Sequence, residues 1–326
     1  MIDWLSNIES VAGIDPVPAS EDASFRRYFR LQTQAESFIV MDAPPEQEDS
    51  TSFLRIATYF ESMQLNAPRI IEANIELGFL LISDLGVVPY LDILNQTPER
   101  AGAMYDDAMG ALLKIQQRGT AYQATLPSYD EPLLQVELSL FHDWLCEKHL
   151  GIEFSQADEA SWQATCDLLV ASALDQPQVF VHRDYHSRNL MRTDENNPGI
   201  LDFQDSVEGP YTYDLVSLLK DCYVSWPAEQ VREWALSFYE RLDDEARQHA
   251  DADTFVRHFE LMGVLRHLKA AGIFARLNLR DGKPGYMADI PRTLNYVVEL
   301  GPRHPELGFL IALIQERCLP ALGNGN

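Results

Sequence analysis

Two short β-prone runs interrupt an otherwise helical stretch, and they constrain this chain more than any other feature. From about residue 98 to residue 299, apolar residues recur at helical spacing. Candidate helices fall at 98–118, 131–149, 156–174, 211–222, 227–243, 252–277 and 290–299. The runs at 179–182 and 199–203 break that pattern, and the turn-rich RDYHSRN lies between them. A loop held between two buried β pieces sits on a rigid support, and polar side chains at the strand ends project into whatever cleft adjoins them.

The first quarter of the chain has the opposite character. Residues 24–33 (SFRRYFRLQT) and 37–42 (SFIVMD) are β-prone and read as two strands of one sheet, the second ended by Pro44 and Pro45. A helix at 50–64 follows, with Phe53, Ile56, Ala57 and Phe60 on one stripe, and then a buried strand at 78–83. A short helix at 2–11 precedes them, with Ile2, Leu5 and Ile8 on one face. The expectation is an α+β, bilobed architecture. A small β-sheet lobe spans residues 1–86, and a larger helical lobe spans 87–326. A linker near 84–90 joins them, and a ligand cleft lies between the lobes.

Composition narrows the function classes. A formal net charge of −25 repels nucleic acid and anionic membranes at long range, so neither is expected as a partner. No run of about 18 apolar residues exists. The start, MIDWLSNIES, lacks the basic and apolar regions of a signal peptide, so a cytoplasmic location is expected. Cys146, Cys166, Cys222 and Cys318 are scattered, with no C-x-x-C pair that would suggest zinc.

The chemistry concentrates in His182-Arg183-Asp184-Tyr185-His186-Ser187-Arg188-Asn189, with Asp202 thirteen residues further on in Ile200-Leu201-Asp202-Phe203. Phosphoryl transfer asks a protein to orient the attacking hydroxyl, accept its proton and offer hard oxygen ligands to Mg²⁺. Asp184 suits the first tasks, and Asn189 and Asp202 suit the last. The loop alone is also compatible with a turn in which Asp184 caps backbone amides. The strand-borne aspartate at a fitting distance favours the chemical reading.

The H-x-D-x-H-x-x-N stretch followed by that aspartate resembles the aminoglycoside phosphotransferase and choline kinase family, relatives of protein kinases. The resemblance implies a bilobed kinase-like fold and ATP with Mg²⁺ as cofactors. It makes Asp184 the catalytic aspartate and Asn189 and Asp202 metal ligands. It also implies that Asp214, in Gly209-Pro210-x-x-x-Asp214-Leu215, braces the catalytic loop; a helix N-terminal carboxylate is the plain alternative. Only eleven residues separate Asp202 from Asp214, too few for an activation segment, so the substrate is a small molecule.

The sequence departs from the kinase pattern in lacking an evident Gly-rich loop and strand lysine; the first lysine is Lys114. Phosphate contacts are therefore expected from Ser24, Phe25, Arg26 and Arg27. Strand alternation points only one of the two arginines into the cleft, leaving open which. Ser83, Asp84 and Leu85 resemble the hinge that meets adenine, although a strand-ending turn would look the same.

The segments 23–30, 41–45, 182–191, 202–205 and 213–218 look closest to one subgroup of the family. Its members phosphorylate the anomeric hydroxyl of N-acetylmuramate or N-acetylglucosamine in peptidoglycan recycling. That likeness implies a small amino-sugar substrate, with His186, Arg188 and Asp205 as candidate contacts. Arg276, Arg280 and Lys283 are candidates for a lactyl carboxylate, or they form a solvated face. The rival functions are a kinase for another hydroxyl compound such as an aminoglycoside, and an inactive nucleotide-binding regulator.

Overall fold

The computed structural model describes residues 1–21 and 25–323. A short helix α1 (Ile2–Leu5) opens the chain, and strands β1 (Val17–Glu21), β2 (Arg27–Gln32) and β3 (Ser37–Asp42) follow. Then come helix α2 (Thr51–Ser62) and strands β4 (Ile70–Asn74) and β5 (Phe79–Ser83). The five strands form one antiparallel sheet in the order β1-β2-β3-β5-β4. Helix α1 is shorter than its apolar spacing suggests, because the Ser6 hydroxyl and Asn7 amide both bond to the Asp3 carbonyl and compete with the helix backbone.

Alternation along β3 builds two faces. Phe38 and Val40 pack with Leu5, Val11, Leu31 and Leu81 in a small outer core. Met41, Leu80 and Ile82 face the main core. On that side α2 lays down its predicted stripe of Phe53, Ile56, Ala57 and Phe60. Phe203 is gripped by two of these rings, with centroids 4.8 Å from Phe53 and 5.1 Å from Phe60. The helix of the sheet layer thereby fixes the residue next to Asp202.

Helices α3 (Tyr90–Gln96), α4 (Ala101–Gly119), α5 (Glu131–Leu140) and α6 (Gln156–Leu174) lead to four short strands, of which the sequence anticipates the first and third; the third is shorter than the run at 199–203 suggests. These are β6 (Gln178–Val181), β7 (Leu190–Met191), β8 (Gly199–Ile200) and β9 (Val207–Pro210), paired β6 with β9 and β7 with β8. After them come α7 (Tyr213–Leu219), α8 (Ala228–Glu240), α9 (Asp244–His249), the 30-residue α10 (Ala252–Asp281) and α11 (Ile290–Val298), with further short helices to residue 323.

Helix α10, about 45 Å long at 1.5 Å per residue, is the axis of the helical layer. Asp251 caps its start through the Thr254 amide, and Gly282 ends it in the left-handed conformation. A side chain at Gly272 would strike the backbone of Leu140 and Phe141, so glycine is what allows α10 to press against α5. Just there the α5 helix loosens into a π-helix, Phe141–His149, within what the spacing reads as one helix over 131–149.

Candidate active site

The catalytic stretch emerges from β6 and is held by two buried aspartates. Asp214, on the first turn of α7, accepts the His182 amide at 2.6 Å and the Arg183 amide at 2.9 Å. The bracing expected of Asp214 is therefore present, and the residue lies in the first turn of a helix as well. Asp221, seven residues on, accepts the Ser187 amide at 2.9 Å and the Ser187 hydroxyl at 2.5 Å. The backbone is bent hard at the first clamp and again after β8, with Arg183 at φ 78° and Asp202 at φ 64°. Non-glycine residues tolerate that conformation at a cost of about 1–3 kcal/mol when their surroundings enforce it.

Asn189 joins the two aspartates. Its amide nitrogen donates to the Asp184 carbonyl at 3.0 Å and to an Asp202 carboxylate oxygen at 3.2 Å. The other Asp202 oxygen accepts from Gln204 at 2.9 Å. Asn189 thus ties the Asp184 backbone to the Asp202 carboxylate, which lies two residues beyond the end of β8 and not on a strand as the sequence suggests. An amide oxygen and a carboxylate at this point are hard oxygen donors, the set that Mg²⁺ prefers.

Burial alone would raise the Asp184 carboxyl. The Lys269 ammonium and the Arg266 guanidinium outweigh it and hold Asp184 below the ordinary carboxylate range. His182 is fully buried and its pKa falls to about 4, so its ring is neutral and Nδ1 accepts the Asp184 amide at 3.2 Å. Burial pushes Asp214 up to about 7, against the pull of its two amide bonds.

Beneath the loop lies a buried ionic cluster that sequence reasoning missed. The Glu137 carboxylate takes Arg183 at 2.5 Å, Lys269 at 2.8 Å and the Tyr129 hydroxyl. Burial would raise Glu137, but Lys269 and Arg183 prevail and lower it. Lys269 also donates to the Tyr213 hydroxyl at 2.9 Å.

Two cavities open on either side of this centre. The first, of about 420 Å³, lies between sheet and helices and is lined by Tyr28, Ile39, Leu85, Asn189, Met191 and Asp202 among others. Ile39 and Tyr28 above and Met191 and Leu201 below offer an apolar slot. At its edge Arg30 binds both Asp84 oxygens, at 2.5 and 3.1 Å. The Ser83 amide is already taken by the Arg69 carbonyl at 2.9 Å, so a ligand would meet the backbone of Asp84 and Leu85.

The two arginines divide as alternation requires. Arg26 is 9% exposed, pairs with Glu48 at 3.1 Å and feels the Asp202 charge. Arg27 is 67% exposed and pairs across the strands with Asp42, opposite it in the β2–β3 register. Phe25 is exposed, with its amide bonded to Glu48. Ser24 lies outside the described residues.

The second cavity, of about 170 Å³, lies on the helical side against Asp184. His186 lines it, as do Tyr223, Arg266, Lys269, Phe274 and Tyr286. Phe274 and Tyr286 stack at 5.5 Å. The Arg188 guanidinium lies 3.6 Å above Tyr223, at the border with the first cavity.

The other candidates sit elsewhere. Asp205 is exposed and contributes its carbonyl to Arg183 at 3.5 Å. Arg280 is exposed and bound to its neighbour Asp281, and neither Arg280 nor Lys283 lines the cavity. The cations that do, Arg266 and Lys269, stand three apart in the apolar run GVLRHLKAAGIF of α10, and charges so placed were the available signal.

Comparison with known proteins follows the same lines. The model of the "Phosphotransferase enzyme family" matches residues 15–273. A Pseudomonas putida protein named N-acetylmuramate/N-acetylglucosamine kinase is 48% identical over 91% of this chain and 87% of its own. A Neisseria meningitidis protein of the same name is 40% identical over 96% of this chain and 94% of its own. Among solved structures, the Plasmodium vivax ethanolamine kinase superposes with a TM-score of 0.66 at 12% identity, covering 93% of this chain and 87% of that one. Among the described residues, no helix is long and apolar enough to cross a membrane.

Proposed function

The chain belongs to the phosphotransferase enzyme family, and from that premise we propose that it transfers the γ-phosphoryl group of ATP to the anomeric hydroxyl of N-acetylmuramate and N-acetylglucosamine. The name shared by the curated relatives supports the substrate. The observation that carries the chemistry is the convergence of Asp184, Asn189 and Asp202 through the Asn189 amide.

In this reading the nucleotide occupies the larger cavity, with the adenine in the apolar slot beside Leu85. Arg26, backed by Glu48, faces the phosphates in the role usually given to a strand lysine. Asn189 and Asp202 would hold Mg²⁺, which, when bound, offsets charge on the triphosphate. The sugar enters the smaller cavity with its anomeric hydroxyl at Asp184. That carboxylate is ionised at neutral pH because its cationic surroundings outweigh burial. It orients the hydroxyl and takes its proton as the sugar oxygen bonds to the γ-phosphorus and the β–γ bridging oxygen leaves with ADP.

The aminoglycoside alternative meets a physical objection. The cavity beside Asp184 is small and presents two cations, Arg266 and Lys269, a poor receptor for a polycation. An inactive regulator would have no need of the three converging groups. A panel of N-acetylmuramate, N-acetylglucosamine and kanamycin with Mg²⁺ and ATP, read as ADP release, tests the proposal. Turnover of the first two, abolished in Asp184→Ala, is expected. Turnover of kanamycin alone refutes it.

A further inference from the structure

The cavity at Asp184 holds a cation whose hydrogen-bonding capacity the protein leaves almost unused. Arg266 is 6% exposed and lines the cavity beside Asp184. A guanidinium carries five donors, and burying it without acceptors is costly. Yet the hydrogen bond it makes among the described residues goes to the Cys222 thiol at 3.7 Å, a weak acceptor.

The neighbouring acids are committed elsewhere. Asp221 is bound to the Ser187 amide and hydroxyl and to the Tyr223 amide. Asp184 faces the reacting hydroxyl in the reading above. The neighbouring cation differs, since the Lys269 ammonium is engaged by Glu137 and Tyr213. Of the two cations in the cavity wall, Arg266 is therefore the one open to an incoming anion.

Resting on the proposed sugar kinase function, we propose that Arg266 receives the lactyl carboxylate of N-acetylmuramate and sets the preference of the site for acidic over neutral amino sugars. A carboxylate matches the planar fork of the guanidinium bidentately. N-acetylglucosamine has only a hydroxyl at that ring position and leaves the fork as it stands. The geometry gives this task to the cavity wall and not to Arg280, which is exposed and bound to Asp281.

A cycle of substrate and side-chain changes tests it. The kcat/KM for N-acetylmuramate and for its methyl ester is measured in the wild type and in Arg266→Gln, with N-acetylglucosamine as reference in both. The wild type should prefer the acid over the ester by about 10–100-fold, the range for a hydrogen-bonded charge, and Arg266→Gln should erase most of that ratio. Losses common to all three sugars cancel in the ratio. Equal use of acid and ester by the wild type overturns the proposal, and this arm needs no variant to fold. An acid-to-ester ratio that persists in a folded Arg266→Gln overturns it too. A wild type that phosphorylates neither natural sugar instead refutes the function on which the proposal rests.

Discussion

Replacing Asp214 with Asn separates what the brace does for activity from what it does for stability. The carboxylate serves two amides, at 2.6 and 2.9 Å, with 1% of the residue exposed. An Asn side chain can accept only one of them and turns its own NH₂ against the other. The loss is one charge-assisted hydrogen bond, about 1.5–3 kcal/mol, plus a donor–donor contact.

Against this stands the burial of the charge. The Asp214 carboxyl moves from 3.8 in the unfolded chain to about 7 in the fold. That difference of roughly 3 in pKa corresponds to about 4 kcal/mol of destabilisation once both states are ionised. Because the folded value is the higher, the folded protein holds this proton more tightly. The favourable contribution is complete below about pH 4 and is lost as pH rises through 7. That net shift already contains the two amide bonds, so Asp214→Asn, a neutral analogue of the protonated acid, should not lower the unfolding free energy at neutral pH and should raise it by up to about 4 kcal/mol. Urea unfolding from pH 5 to 8 should show wild-type stability falling relative to the variant.

Activity has no such compensation. Releasing the His182 or Arg183 amide lets Asp184 drift, and a displacement of about 1 Å can cost on the order of 100-fold in rate. The expected outcome is kcat reduced at least about 30-fold with KM for ATP little changed. A variant within about threefold of wild-type kcat, or parallel pH–stability curves, would refute the reasoning.

Three further outcomes follow from the same geometry. Arg26→Ala should raise KM for ATP by about 10-fold or more, the value of a lost charged phosphate contact, whereas Arg27→Ala, paired with Asp42 away from the cleft, should stay within about twofold; steady-state kinetics decides. Glu137→Gln leaves Arg183 and Lys269 without their buried partner and should cost about 3–5 kcal/mol by denaturant titration, and retention of full stability would contradict the ionic cluster. Burial would raise Glu260, but its bonds to His304 and Arg303 lower it to about 2, so its contribution is present above pH 4.5 and fades as pH falls towards 2. With Arg303 half-exposed and the pair screened by solvent, about 1 kcal/mol is expected, seen as a steeper acid loss of Tm in wild type than in Glu260→Gln.

The chemical loop and the heart of each layer are written in the local sequence. Residues 37–42 and 156–174 match β3 and α6 to the residue, because a buried strand and a capped amphipathic helix each write their period into consecutive positions. In the sheet, the strands read from sequence are the inner ones, β2, β3 and β5; those missed, β1 and β4, are the two edges. Pro18 in β1, the exposed Glu72 in β4 and a register shift in each erase the alternation, since an edge strand pairs on one side only and tolerates such breaks. The group of Asp184, Asn189 and Asp202 is legible because two of its members share a loop and the third follows a short apolar β run.

The surroundings of the cavity beside Asp184 are set by the assembled fold. Glu137 comes from α5, Asp221 from the segment after α7, and Arg266 and Lys269 from α10, and only the packing of these elements brings them near Asp184. A charged residue on an apolar helix face announces burial, but local sequence does not say against whom it is buried. That depends on helix crossings such as the one Gly272 permits, so which cation is neutralised by Glu137 and which is left with a thiol as partner is a property of the assembled fold.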